Sequence, residues 1–423
     1  EGYKVAPELS TAGAMASTFS DWWAYKYEVQ DAIPWNVEIM HKAGVIVSIN
    51  SDSDEMIRRL NTEAAKAMLY GGLSYEDAMA TCTINSAKQL RIEHIVGSLE
   101  VGKAATISVF DGPPLSNFSR CLLTLSKGKV LYEASPHIDS RWQSYSKNIQ
   151  KFISKNSSKS KEEISSITQQ QDPKLLKKFT KIGDGLSYYI KNAVIHSGRG
   201  RPFKGNLLIE DGVIKRISKG IETTPIKANL NVIDAKGKSL YPGFINTLDR
   251  TGLVEIESLR ATDDSFEIGN NQADLKVSVA IHADSKHHHI TRMTGTAYVL
   301  TPPGAGRFRG QGALIQLAGT TTEDVVIKDH GMFLTFPRTK KFNQKDGPKK
   351  NDAIEELNEW IEACLNYEKE KMVVNRNTKI EALIPYLTGK LPLYIEANDA
   401  STLMAAQEWV KEHNLKAVYV SAK

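Results

Sequence analysis

The chain has 423 residues, 41% of them hydrophobic and 24% charged, which suits about two or three globular domains and excludes an intrinsically disordered chain. Its formal charge of +5, from 54 basic and 49 acidic side chains, sits partly in one lysine-rich stretch without interleaved aromatics, so no nucleic-acid partner is expected. No apolar run reaches the roughly 18 residues that a membrane helix needs, and the three scattered cysteines, Cys82, Cys121 and Cys364, form no CxxC pair and so neither a disulfide framework nor a zinc site.

Glu1 to Trp35 holds three of the six tryptophans and reads as an aromatic cluster that packs on the surface or covers a pocket. Asn36 to Lys42 reads as a helix with His41 exposed on it. The helix feeds GVIVSINSDSDEMIRRL, residues 44–60, where the apolar run Val45, Ile46, Val47, Ile49 stops at Asn50, Ser51 and Asp52. Helical periodicity resumes near Met56. This is a strand with a carboxylate at its carboxyl end, the place where a (β/α) barrel keeps its reacting groups. Asp52, Ser53 and Asp54 serve equally well as caps of the next helix.

Arg58 to Tyr70 reads as a helix closed by Gly71-Gly72, and Ser74-x-x-Asp77 opens another that runs through Ala78, Met79 and Cys82 toward Asn85 and Leu90. From Val96 the spacing is that of strands, with a hairpin turn at Ser126-Lys127-Gly128-Lys129. Residues 136–185, rich in Lys, Ser and Gln, read as a solvated linker. Beyond it, strands with turns at Glu210-Asp211-Gly212 and Lys236-Gly237 lead through Pro242-Gly243 into Phe244-Ile245-Asn246. The remainder alternates strands and helices, including a charged helix from Asp352 to Arg376 and one from Ser401 to His413. That alternation predicts parallel βα units.

Two rival sites occur in this last region. His287-His288-His289 reads as an exposed polar turn before a helix, because three adjacent histidines rarely share the geometry of a metal ion. PGAGRFRGQG, residues 303–312, has the glycines of a phosphate loop but not its Gly-Lys-Ser/Thr ending, and reads as a long βα loop. No Gly-x-Ser-x-Gly elbow supports a serine hydrolase.

GVIVSINSDSDE, then EAAKAMLYGGLSYEDAMATCTINSAKQL and VGSLEVGKAATISVFDG, resemble the last barrel strand, last helices and exit strands of the amidohydrolase superfamily, in particular its imidazolonepropionase-like hydrolases. GNLLIEDGVIKRIS and VIDAKGKSLYPGFIN resemble the entry of a further copy. The resemblance implies an α/β fold of partial TIM-type (β/α) barrels with composite β-sandwich segments. Residues 1–96 would be the C-terminal part of a first barrel and 97–135 its sandwich strands. Residues 186–245 would be sandwich strands of a second copy, and 246–423 the N-terminal part of a degenerate second barrel. The chain then reads as a fragment spanning tandem copies, an expectation in keeping with its start at Glu1 without Met.

By the same resemblance the family's eighth-strand aspartate falls on Asp52. There it binds a divalent metal and takes a proton from the attacking water in hydrolysis of a carbon–nitrogen bond other than a peptide bond, the substrate being a small molecule. Zinc suits the family's ligands, and iron and manganese also fit them. The departures are Leu248 and Arg250 where the family has a His-x-His pair, and Glu396 or Asn398 in place of its fifth-strand ligand. The second copy is therefore expected to lack a metal, and the ligands completing the site of Asp52 to lie outside this chain. The rival reading is a non-catalytic scaffold or binding module. A third arrangement has strands of the Glu1 end closing one composite barrel with strands of the second half. An extracytoplasmic location rests on the resemblance alone, and oligomeric state is not readable.

Overall fold

The computed structural model describes residues 2–19, 23, 29–51, 56–134, 187–220, 230–256, 258–338, 352–369 and 376–420. The linker expected at 136–185, and Asp52 itself, lie outside the described residues. The chain divides into two compact units. One comprises Glu1–Glu93, Phe244–Thr291 and Tyr298–Lys423, and the other His94–Gly243 and Arg292–Ala297.

In chain order the first ten strands are β1 (Met15–Thr18), β2 (Ile46–Ile49), β3 (Ile107–Phe110), β4 (Cys121–Ser126), β5 (Lys129–Glu133), β6 (Tyr188–Ile195), β7 (Phe203–Glu210), β8 (Val213–Lys219), β9 (Asn231–Asp234) and β10 (Ser239–Pro242). They are followed by β11 (Phe244–Asn246), β12 (Thr296–Thr301), β13 (Phe308–Gln316), β14 (Val326–Thr335), β15 (Pro392–Glu396) and β16 (Lys416–Val420).

The first unit is built on a barrel-like sheet of eight strands in the order β11-β12-β13-β14-β15-β16-β1-β2. It takes β1 and β2 from residues 1–96 and the other six strands from 244–420, so β11 begins two residues before the boundary expected at 246. From β14 through β2 every pairing is parallel. The expected run of parallel βα units is corrected at β12-β13-β14, which pair antiparallel. Residues 302–307 are too short to carry a crossover helix, so PGAGRFRGQG closes a hairpin and enters β13 instead of forming a βα loop.

The helices follow their sequence signals with two corrections. Leu60–Leu69 ends as Gly71 and Gly72 donate to Ala67 O and Met68 O, at 3.1 and 3.1 Å. Ser74 caps Tyr75–Thr81 through Asp77 N at 3.0 Å and returns its hydroxyl to the Asp77 carboxylate at 2.7 Å. The next helix is not continuous. It breaks at Cys82-Thr83 and restarts as Ile84–Gln89. The Thr81 and Thr83 hydroxyls bond back to Ala78 O (2.6 Å) and Met79 O (2.7 Å), while Cys82 O leaves the helix to accept Ile245 N at 2.9 Å. The charged helix is described over Asp352–Lys369, and Arg376 stands outside it. The last helix, Ala400–Glu412, is capped by Asp399 through Thr402 N at 2.8 Å.

The second unit carries the sheet β5-β4-β3-β10-β6-β7-β8, with β9 beside β6. Its hairpin turns are those of the sequence: Lys127-Gly128 and Asp211-Gly212 all have positive φ, as two-residue turns of matching twist require. A Cβ on Gly212 would lie 2.4 Å from Lys127 O, so that position admits glycine alone. The turns set a register in which Ile107, Val109, Leu123, Leu125, Ile190, Leu207 and Ile209 are buried together.

Candidate active site

At the end of β2 the side chains change from apolar to polar without leaving the interior. Val47 and Ile49 are buried, and so are Ser48, Asn50 and Ser51, each 0% exposed. Register aligns Thr335, Glu396, Val420, Ser17 and Ser48 in one row across β14, β15, β16, β1 and β2. Alternation along parallel strands puts such a row on one face.

Thr247, just past β11, meets this row from the opposite edge of the sheet. Its Oγ1 lies 2.7 Å from Ser17 Oγ and 3.0 Å from Ser48 Oγ. Ser48 donates to Gln89 Oε1 at 2.7 Å, and Gln89 Nε2 donates to Ala16 O at 2.8 Å. Asn50 Nδ2 donates to Ser17 Oγ at 2.7 Å. Tyr394 OH, from β15, donates to Gln89 O at 2.9 Å and lies 3.1 Å from His330 Nε2. Burial raises the Tyr394 phenol, and burial followed by the charges of Lys328 and Arg91 lowers His330 to about 3. Both are neutral near pH 7.

Among the described residues, two carboxylates belong to this interior. Asp249, 2% exposed, accepts the Ser51 hydroxyl on Oδ2, and on Oδ1 the Thr251 hydroxyl and Thr251 N, the latter at 2.8 Å. Asn246 Nδ2 donates to the same Ser51 hydroxyl at 2.7 Å, so the last residue of β11 and Asp249 just past it hold the end of β2 by two bonds. Glu396 is paired to Arg309 Nη1 at 2.5 Å, and Arg309, 6% exposed, also donates from Nε to Pro303 O at 2.8 Å.

The positions singled out in the sequence fare differently. Asp52 follows Ser51 directly but lies outside the described residues. Leu248 is buried, whereas Arg250 is exposed with its guanidinium 5.5 Å from the Phe266 ring centre. Glu396 is a counter-ion to Arg309, and Asn398 is half-buried. The three histidines are not a turn before a helix but part of the helix Lys286–Arg292. There His288 is buried and His289 exposed, since a helix turns successive side chains to different faces.

Among the described residues no group of three or more His, Cys, Asp or Glu is placed to hold a metal ion. Asp249 has both oxygens engaged by hydroxyl and amide donors, and Glu396 is neutralised by a guanidinium. The described residues therefore do not fit the divalent metal that the resemblance implies. What they form is a buried network of hydroxyls and amides. Sequence reading missed Asp249 and Asn246, although NTLDRT, polar residues directly after an apolar strand, is the same signal that drew attention to Asp52.

Residues 35–143 match the model of the amidohydrolase family. Over 83 residues the chain is 36% identical to a dihydroorotase of Caldanaerobacter subterraneus, an alignment covering 19% of this chain and 18% of the relative. It is 55% identical over 40 residues to an adenine deaminase of Methanococcoides burtonii, 10% of this chain and 7% of the relative. With an imidazolonepropionase of Maricaulis maris it shares 36% identity over 78 residues, 18% and 19% of the two chains. The chain thus spans less than a fifth of the length of these curated relatives. A solved amidohydrolase from Thermotoga maritima superposes with a TM-score of 0.48 at 22% identity, covering 55% of this chain and 63% of that one. The segment that is similar to the amidohydrolase family, residues 35–143, reaches from the helix before β2 to the strands beyond it.

Proposed function

We propose that this chain is part of a hydrolase acting on carbon–nitrogen bonds other than peptide bonds, and that Asp52 takes the proton from the attacking water. The observation that supports it most is positional. Asp52 follows a buried polar strand end inside the segment that matches the family model, and the carboxyl end of a parallel barrel strand is where such folds do their chemistry. Ser51, held by Asn246 and Asp249, fixes the backbone entering that position. The family is generally metal-dependent. A divalent ion, zinc first among the choices, would need ligands other than the described residues.

The substrate would be a small molecule, and the relatives' names nominate dihydroorotate, a dihydropyrimidine, adenine and imidazolonepropionate as a first panel. Asp52→Asn is expected to lower turnover by at least about 100-fold with unchanged thermal stability, since a positioned base contributes about that much. Turnover in Asp52→Asn equal to the parent would remove the assignment. The loss of the family's histidines at Leu248 and Arg250, together with the Glu396–Arg309 pair, favours a second reading for residues 246–423, that of a non-catalytic scaffold. Less than about 0.1 metal per chain in the full-length protein after zinc loading would favour it.

Of the division into copies 1–135 and 186–423 and the single composite barrel, the second is favoured, since β1 and β2 share one sheet with β11 to β16. Cleavage within 154–171 that leaves one inseparable body is its expected outcome, and release of two independently folded pieces would point to tandem copies. An extracytoplasmic location is likewise proposed, to be tested by fractionation of the full-length protein.

A further inference from the structure

The segment that follows β11 is held by part of its residues. Leu253, Val254, Val277 and Ile281 are buried against Val299, Ala313 and Ile315 of β12 and β13, while Asn271 O and the Asp274 carboxylate accept from Lys379 and Thr378. Other residues of the segment are exposed, and five of the large apolar side chains that stand in solvent are among them: Ile256, Leu259, Phe266, Ile268 and Val279. Ile268 and Val279 are 102% and 84% exposed. Isolated exposed apolar residues are ordinary, but such a concentration in one segment marks a surface that is covered by something else.

Phe266 and Val279 line a cleft of about 970 Å³ together with four carboxylates, Asp263, Asp264, Glu267 and Asp284. Asp264 is paired with His282 at 3.0 Å, and Asp263 accepts Ser265 N at 3.0 Å. Glu267 and Asp284 are exposed and have no ion pair among the described residues. The remaining cation of the cleft, Arg260, donates to the backbone carbonyl of Asp263. A chain of formal charge +5 thus carries a locally acidic cleft with apolar side chains in its wall.

We propose that this cleft docks a cationic, apolar-containing peptide segment of a partner protein, with lysine or arginine side chains on Glu267 and Asp284 and an aliphatic side chain between Phe266 and Val279. The charge pattern selects the partner: carboxylates without counter-ions attract cations and repel an acidic surface, while the apolar groups reward a side chain that a simple polyamine lacks. A volume of about 970 Å³ leaves room for several side chains of a peptide. This docking does not depend on the hydrolase reading, because none of its residues belongs to the β2 end.

The test uses the full chain and a fluorescent eight-residue peptide of alternating lysine and leucine, followed by anisotropy. Saturable one-to-one binding is expected, weakened at least about 10-fold by Val279→Ser and, separately, by Glu267→Gln combined with Asp284→Asn. Both variants alter exposed side chains, and circular dichroism with an unchanged melting temperature certifies their fold. Equal binding of octalysine, binding that neither variant alters, or no binding below about 1 mM overturns the proposal. Self-association of the chain that Val279→Ser abolishes, without peptide binding, assigns the cleft to a second copy and overturns it as well.

Discussion

Two carboxylates face the interior of the barrel-like unit, and they are held by opposite means. Asp249 accepts from the Ser51 and Thr251 hydroxyls and from Thr251 N, whereas Glu396 is matched to the guanidinium of Arg309. A hydroxyl can turn to another acceptor, while an ion pair in a mostly buried site depends on both members. Loss of a partner is therefore expected to cost more at Glu396 than at Asp249.

The largest effect is expected at the ion pair. Arg309→Met leaves Glu396 partly buried without its counter-ion and should cost about 3 kcal/mol in urea unfolding, and Arg309→Met with Glu396→Met should recover much of it. A double variant no more stable than the single one would break the comparison. Asp249→Asn keeps an acceptor for Thr251 but turns an N–H₂ toward its other donors, with an expected loss of about 1 to 2 kcal/mol. A loss equal to the one at Arg309 would mean that hydroxyl and guanidinium partners hold these two carboxylates equally strongly.

The smallest effect sharpens the contrast, because Glu100 in the other unit has both kinds of partner. The Ser98 hydroxyl, then Lys103 at 3.0 Å and Arg199 at 3.3 Å, hold its carboxyl at about 2 against the opposing effect of burial. A depressed folded value stabilises above the unfolded value, about 4.3, and that contribution is lost as pH falls from there toward 2. The group is 39% exposed, so solvent screening leaves less than about 1 kcal/mol. Acid unfolding of Glu100→Gln should be flatter than the parent by that amount between pH 5 and about 2.

Much of the local structure was legible because its causes lie within a few residues. Ser74 and Asp77 cap a helix by the spacing of their own side chains, and Lys127-Gly128 and Asp211-Gly212 impose their turns through backbone freedom. The continuous helix expected through Cys82 failed for a distant reason: its carbonyl is claimed by Ile245, and the threonines on either side stabilise the break. Asp52 was visible as a polar residue ending an apolar run. Asn246 and Asp249 end an apolar strand in the same way, but their role comes from Ser51, 195 and 198 residues away, which no local pattern shows.

By itself, the sequence determined the elements, the turns of the second unit and the family segment around β2, since periodicity, caps and glycine positions act over short range. The tertiary structure decided which strands share a sheet, where the order turns antiparallel, and that Arg309 rather than a histidine cluster faces Glu396. These depend on pairings between residues far apart in the chain, for which a single sequence carries no local signature. The parallel contact of β16 with β1 is the clearest case, bringing Val418 beside Met15.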